Sequence, residues 1–291
     1  MGTFYALMTA VMWAAAIVLL KRSGETIPPF ALNVFRVAIS TVVLVLTMVL
    51  IRQDLLYRAP LSDYLILAAS GIIAIAISDT FLLMALNRLG AGIMAIVDCL
   101  YAPFVVLFAY FMLGEHLGKW QWSGMVLVIF GVLVAARHDP PRGVPARQIL
   151  VGICYGVLAM LTVAFGIVLA KPVLEHSPVF WATTIRQAGA LFALIPAALI
   201  LPIRTTVVGA FKPAPVWKYS IPATIFGSYL ALLFWIGGMK YSLAGPAAIL
   251  NQTTAVYVLI FASIFLDEPF TLKKMIACGL TLGGIAMVTL G

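Results

Sequence analysis

Charge is what this chain has least of. Only 10% of its 291 residues are Asp, Glu, Lys or Arg, and 64% are hydrophobic; a soluble domain carries about 25% charged residues. That imbalance excludes a water-soluble globule. Cysteine is scarce too. Cys99, Cys154 and Cys278 all fall in apolar stretches, an odd number that builds no disulfide framework and lacks metal-ligand spacing. The three histidines, His116, His138 and His176, fall in polar loops. There is no nucleophile–base pair, DDxxD-like run, metal cluster or phosphate loop, so neither an enzyme nor a cofactor or metal protein is expected. Regular apolar–polar alternation is missing, which sets aside a membrane β-barrel. The net charge of +8 raises nucleic acid as a partner, but the basic residues lie in short loops, as the positive-inside pattern requires, and no nucleic acid is expected.

What abounds is apolar runs of about 20 residues, enough to cross a hydrocarbon core at 1.5 Å per residue. Ten spans are expected, near 3–20, 29–51, 64–86, 91–113, 121–136, 149–170, 179–202, 218–239, 245–266 and 274–290. No Lys or Arg precedes the first run, so a cleavable signal peptide is not expected. The lipid bilayer is therefore the first partner of this protein.

The chain also repeats itself. Shifted by 150 residues, Gly2, Tyr5, "IVL" at 17–19, Lys21, Pro28 and Arg36 meet Gly152, Tyr155, "IVL" at 167–169, Lys171, Pro178 and Arg186. Further on the shift is 153, where Phe81, "AG" at 91–92, "FA" at 108–109, Glu115 and Gly131 meet Phe234, "AG" at 244–245, "FA" at 261–262, Glu268 and Gly284. Two repeats follow, 1–136 and 149–291, joined by a linker at 137–148 rich in Pro and Arg. Five spans per repeat is an odd number, so the second repeat enters from the opposite side. Inverted repeats are the architecture of secondary transporters, with the substrate site at the midplane between them. One chain can enclose such a site, so a monomer is expected. Loops after odd-numbered spans hold eleven Lys and Arg, and loops after even-numbered spans hold five. By the positive-inside rule both termini then lie outside.

Two segments carry a family resemblance: "LGEHLGKWQWSGMVLVIFGVLV" (113–134) and "LDEPFTLKKMIACGLTLGGIAMV" (266–288). Each is an acidic turn followed by a glycine-spaced helix. Both resemble the EamA domain of the drug/metabolite transporter superfamily, and two copies cover nearly the whole chain. Length and aromatic content are similar to those of the aromatic amino acid exporters of bacterial inner membranes. The resemblance implies an all-α membrane protein with ten helices around a central cavity, the fifth and tenth at the periphery, exporting small metabolites. It also implies cytoplasmic termini, against the charge count. Small multidrug members carry a glutamate in their first span, and this chain has none there. From the residues themselves, Glu115 and Glu268 are turn residues, each placed to favour the positive end of the helix that follows. Gly124, Gly131 and Gly284 are small residues that let helix backbones approach in lipid.

Four formal charges lie inside spans: Arg36, Asp79, Asp98 and Arg186. Unpaired charge in lipid costs several kcal/mol, which makes each a functional candidate. Counted from the hairpin between the third and fourth spans, Asp79 and Asp98 stand at one depth, and Arg36 reaches about that depth from the same side. These three form one expected charge cluster. In the second repeat Arg186 matches Arg36, but Leu232 and Asn251 replace Asp79 and Asp98. One gate is then ionic and the other closes through neutral hydrogen bonds of Asn251 and Gln252. The competing reading has both arginines snorkelling to the surface. Two adjacent carboxylates would share a proton, whereas pairing with Arg36 would keep both ionised.

Trp120, Trp122, Trp181 and Trp217 near span ends fit an interfacial aromatic belt. Trp13 is mid-span, on one face with Tyr5 and Thr9, and reads as cavity wall or as helix packing. Tyr101 and Tyr257 are also deep, with Phe165, Tyr229 and Trp235 as weaker candidates. Pro103 lies within the fourth span and predicts a kink suited to gating; Pro246 is a gating candidate or a first-turn proline. In the expected pose an aromatic ring stacks on Trp13, Tyr101 or Tyr257, with Phe165 nearby. Asp79, Asp98 or freed carbonyls meet the ammonium, and Asn251, Gln252 or a cation meets the carboxylate, with Ser78 a further substrate-binding candidate. Carriers of other amino acids, nucleosides or drugs are the alternative, and an integral-membrane enzyme on lipid-linked substrates is a more distant one.

Overall fold

A backbone crossing hydrocarbon has no water to bond to, so each span closes its own hydrogen bonds as a helix. The computed structural model describes residues 2–55, 57–114, 118–136, 145–200, 202–241, 251–269 and 271–290, and no strand occurs among them. α1 (Gly2–Gly24) leads through a short turn to α2 (Pro29–Leu50), which begins on a proline whose missing N–H costs nothing at a helix start. α3 (Leu61–Gly71) passes through a π-helical segment, Ile72–Ile77, into α4 (Ser78–Asp98). α5 (Tyr101–Leu113) and α6 (Lys119–Ala136) complete the first repeat. The second contains α7 (Ala146–His176), α8 (Val179–Ile200) and the short α9 (Arg204–Ala210) and α10 (Trp217–Ala223). A second π segment, Thr224–Ala231, runs into α11 (Leu232–Tyr241), followed by α12 (Thr254–Phe265) and α13 (Leu272–Leu290).

Among the described residues six helical stretches are long and apolar enough to cross a membrane, one of them the 38-residue run Leu61–Asp98. That run takes in the expected third span and the start of the fourth. Where a loop was expected, the backbone leaves the helix at Gly90 with φ 78°, an angle that glycine adopts without strain, and a second helix starts directly after it. The fourth span itself is broken one helical turn before the expected place. Cys99 and Leu100 donate back three residues, to the carbonyls of Ile96 and Val97, and α5 starts afresh at Tyr101. Pro103 is the third residue of that new helix, where backbone N–H groups have no intrahelical acceptor. It opens α5 rather than kinking a continuous span. Thr253, related to Leu100 by the 153-residue shift, marks the same break before α12, and the two π segments are related by that shift as well.

The repeats interlock. α1 packs on the second π segment, α11 and α12, while α7 packs on α3, α4 and α5. α6 and α13 pair with each other at one edge. A Cβ on Gly284 would come 2.6 Å from the Gly124 carbonyl, and one on Gly131 2.6 Å from Thr281; the glycines set the closeness of this pair. Trp120 and Trp122 on α6 are exposed, as an interfacial belt requires, but Trp181 is fully buried. It packs edge-on against Tyr64, because the start of α8 is covered by α3. His176 is the last residue of α7 rather than a loop residue, and its Nε2 lies 2.9 Å from Asp63.

Candidate functional site

Two amides prepare the cavity wall. A π segment widens the helix and frees backbone carbonyls. In the first, Asn33 of α2 donates to the carbonyls of Ile75 and Ala76, both at 3.1 Å. In the second, Gln187 of α8 donates to the Ser228 carbonyl at 3.1 Å. Both amides are buried, so each π segment is stitched to the neighbouring helix instead of to water.

Between the repeats lies a cavity with about 810 Å³ of empty space, counted out to its open mouth. Its lining follows the internal repeat. Trp13 and Val163, Arg36 and Arg186, Ile75 and Ser228 face it as related pairs. So do Asp79 and Leu232, Leu82 and Trp235, Asp98 and Asn251, and Tyr101 and Thr254. Of these pairs only the arginines are identical.

Arg36 is 2% exposed. Its Nη2 meets Asp79 Oδ2 at 2.8 Å, and its Nε donates to the Ser228 hydroxyl at 2.8 Å, tying the first repeat to the second. The guanidinium also lies 5.9 Å from the Trp13 ring. Asp98 lines the same cavity but has no ion-pair partner among the described residues, so the expected three-membered cluster is a pair with one carboxylate apart. Arg186 does not snorkel: it is 1% exposed, with Cζ 5.5 Å from the Trp235 ring. Asn251, its amide oriented as its neighbours require, donates to the Ala6 carbonyl at 3.1 Å and accepts from Trp235 Nε1 at 3.2 Å. Ser78 lines the wall with its hydroxyl donated to the Ala159 carbonyl, and Gln252 lines it nearby.

The other sequence candidates lie elsewhere. Phe165 packs edge-on against Phe108 at 5.3 Å, and Tyr257 sits half-buried against the core; neither lines the cavity. Pro103 is in the first turn of α5 and off the lining. Pro246 and Glu115 lie outside the described residues. Glu268 does not cap the helix after it. Its carboxylate takes the backbone N–H of Ala91 at 2.7 Å and of Gly92 at 3.0 Å, capping the helix that resumes after Gly90. Thr9 lines the cavity on one face with Trp13, as expected for a cavity wall; the lining residues that sequence reasoning passes over are Gln187 and Ser228. Their signal was uncharged polarity inside an apolar span, which also marks Asn33.

A solved crystal structure superposes on 99% of this chain and 96% of its own, with TM-score 0.71 and 18% identity, so the fold is shared. An uncharacterized transporter of Methanothermobacter thermautotrophicus is 23% identical over 80% of this chain and 64% of its own length. An uncharacterized transporter of Clostridium kluyveri is 29% identical over 38% of this chain and 35% of its own. A probable 4-amino-4-deoxy-L-arabinose-phosphoundecaprenol flippase subunit, ArnE, of Pseudomonas fluorescens is 38% identical over 56 residues, 19% of this chain and 49% of its own. The chain thus spans between about a third and two thirds of the length of these curated relatives. The model of the EamA-like transporter family matches residues 1–137 and again 150–290, and with two copies taking in nearly the whole of it, this multi-pass membrane protein belongs to the EamA-like transporter family.

Proposed function

We propose that this transporter is a secondary, alternating-access exporter of small metabolites, aromatic amino acids foremost, in a bacterial inner membrane. Its ten spans form two inverted five-helix repeats, and it works as a monomer. The observation that carries this reading is the cavity between the interlocked repeats, walled by Trp13, Tyr101 and Trp235 and holding few polar groups. Apolar walls with a small number of placed anchors are how small-molecule sites fix a ligand. The helix breaks at Cys99–Leu100 and Thr253 support alternating access, since discontinuous helices at repeat-related positions are where transporters bind cargo.

The test is counterflow into proteoliposomes holding the full chain and preloaded with unlabelled amino acid. Saturable exchange of labelled phenylalanine, tyrosine or tryptophan is expected. Exchange of nucleosides or other amino acids alone would reassign the cargo. Repeating the assay with an imposed pH gradient shows whether protons are coupled. The short match to the flippase subunit favours a second reading, movement of an amine-bearing sugar on a lipid phosphate. Translocation of such a lipid by vesicles that exchange no amino acid would establish it.

A further inference from the structure

Two charged groups in the cavity wall make no salt bridge among the described residues. Arg36 has Asp79 and Ser228. Arg186, at the related position, has Leu232 where Arg36 has Asp79. It is 1% exposed, yet Nε, Nη1 and Nη2 all lack a hydrogen-bond acceptor among the described residues. The Trp235 ring meets the guanidinium at 5.5 Å, but a cation–π contact leaves the N–H groups unused. Asp79 is bonded to Arg36 and reaches Arg186 only through its field; keeping a buried cation without a hydrogen-bonded partner is costly, and packing alone gives no reason to keep one.

The other group is Asp98. It has no ion-pair partner among the described residues, and it is the last residue of α4. The final carbonyls of a helix carry partial negative charge, which favours a cation and disfavours a carboxylate. Asp98 therefore deepens a negative point instead of neutralising it. Tyr101, one turn away, is buried beside Trp235, its hydroxyl without a well-aligned hydrogen bond among the described residues.

We propose that Arg186 and Asp98 are the two ends of a zwitterion site, the guanidinium holding a ligand carboxylate while Asp98 and the end of α4 hold its ammonium. The assignment rests on the cavity being the substrate site proposed above, and it narrows the cargo to α-amino acids against amines, simple acids and nucleosides. Arg186 is then a specificity-determining residue and not a gate. Trp235 lies across the guanidinium, so carboxylate entry shifts the indole and changes its fluorescence.

The experiment measures binding of L-phenylalanine, phenethylamine, 3-phenylpropionate and L-leucine to the full chain in detergent. Wild type is expected to bind phenylalanine about tenfold or more tightly than phenethylamine or phenylpropionate, as charged hydrogen bonds are worth in a buried site. Arg186→Gln should bring phenylalanine and phenethylamine within about threefold of each other, with phenethylamine bound at least as tightly as in wild type because a cation facing its ammonium is gone. Asp98→Asn should do the same for phenylalanine and phenylpropionate. Without ligand, Arg186→Gln should melt at or above the wild-type temperature, because an unpaired charge is removed. A lower melting temperature, or a chain that fails to fold, overturns the proposal by showing that the protein itself holds the guanidinium. Equal wild-type affinity for phenylalanine and phenethylamine, or undiminished discrimination in Arg186→Gln, also overturns it and leaves the aromatic reading standing. Leucine bound as well as phenylalanine, with phenethylamine rejected, supports the zwitterion site and sinks the aromatic preference. No binding of either amino acid sinks both.

Discussion

Arg36 and Asp79 set the energetics of the cavity wall at the residue scale. Their side chains are 3% and 12% exposed at a separation of 2.8 Å, so each charge depends on the other. Asp79→Asn is expected to destabilise the protein by about 3–5 kcal/mol, the cost of leaving a buried charge alone. Adding Arg36→Met to Asp79→Leu, the residue that stands at 232, should restore most of that loss. Thermal unfolding in detergent checks both, and losses that simply add would show that the pair is not coupled. The pair is also our candidate ionic gate; unchanged transport in Arg36→Gln would exclude that role while leaving the stability result intact. Counting residues from the hairpin was enough to bring Arg36, Asp79 and Asp98 to one depth. It did not say which carboxylate takes the guanidinium, because that depends on the rotation of α2 against α4.

At the scale of elements the π segments hold the site in shape. Asn33 donates to two freed carbonyls and to the Thr80 hydroxyl at 3.0 Å. Asn33→Leu should therefore cost about 1–3 kcal/mol, the penalty for stripping the Ile75 carbonyl of its side-chain donor while Thr80 still serves Ala76, read as a lower melting temperature. Just before the first π segment, Gly71 faces the backbone of Arg186, and a Cβ there would overlap the Arg186 carbonyl oxygen. Gly71→Ala is expected to separate α3 from α8 and to abolish phenylalanine binding, measured as for the zwitterion site; full binding would show that α8 can retreat without disturbing Arg186. Glu268 works across repeats, holding the N–H groups of Ala91 and Gly92 while Lys274 approaches it at 3.4 Å. Its removal in Glu268→Ala should cost about 0.5–2 kcal/mol, as the loss of an N-cap does, again read by thermal unfolding. Sequence spacing placed Glu268 in the right turn but on the wrong helix, since the nearer helix in the chain is not the nearer one in space.

The whole molecule is two repeats that cover each other's inner faces. α1 lies on α11 and α12, and α7 lies on α4 and α5, so neither repeat alone buries its cavity wall. Residues 1–140 or 145–291 expressed singly should be degraded, whereas the two co-expressed should copurify and bind phenylalanine. A first repeat that accumulates and stays folded by itself would show that the interlock is dispensable.

Composition and the internal repeat determined by themselves that this is a helical membrane protein of two EamA-like halves. Hydropathy and periodicity are written along the chain, and lipid leaves the backbone no choice but the helix. Most of the cavity residues were legible too, because an ionisable or aromatic group deep in an apolar span has few places to go. Only the tertiary structure decided how they are used: that the fourth span breaks before Pro103, that amides stitch the π segments, and that Asp79 is the carboxylate that pairs with Arg36. Among the described residues it also left Arg186 and Asp98 without an ion pair of their own. Pairing is a matter of distance between spans, and no pattern along one span carries it.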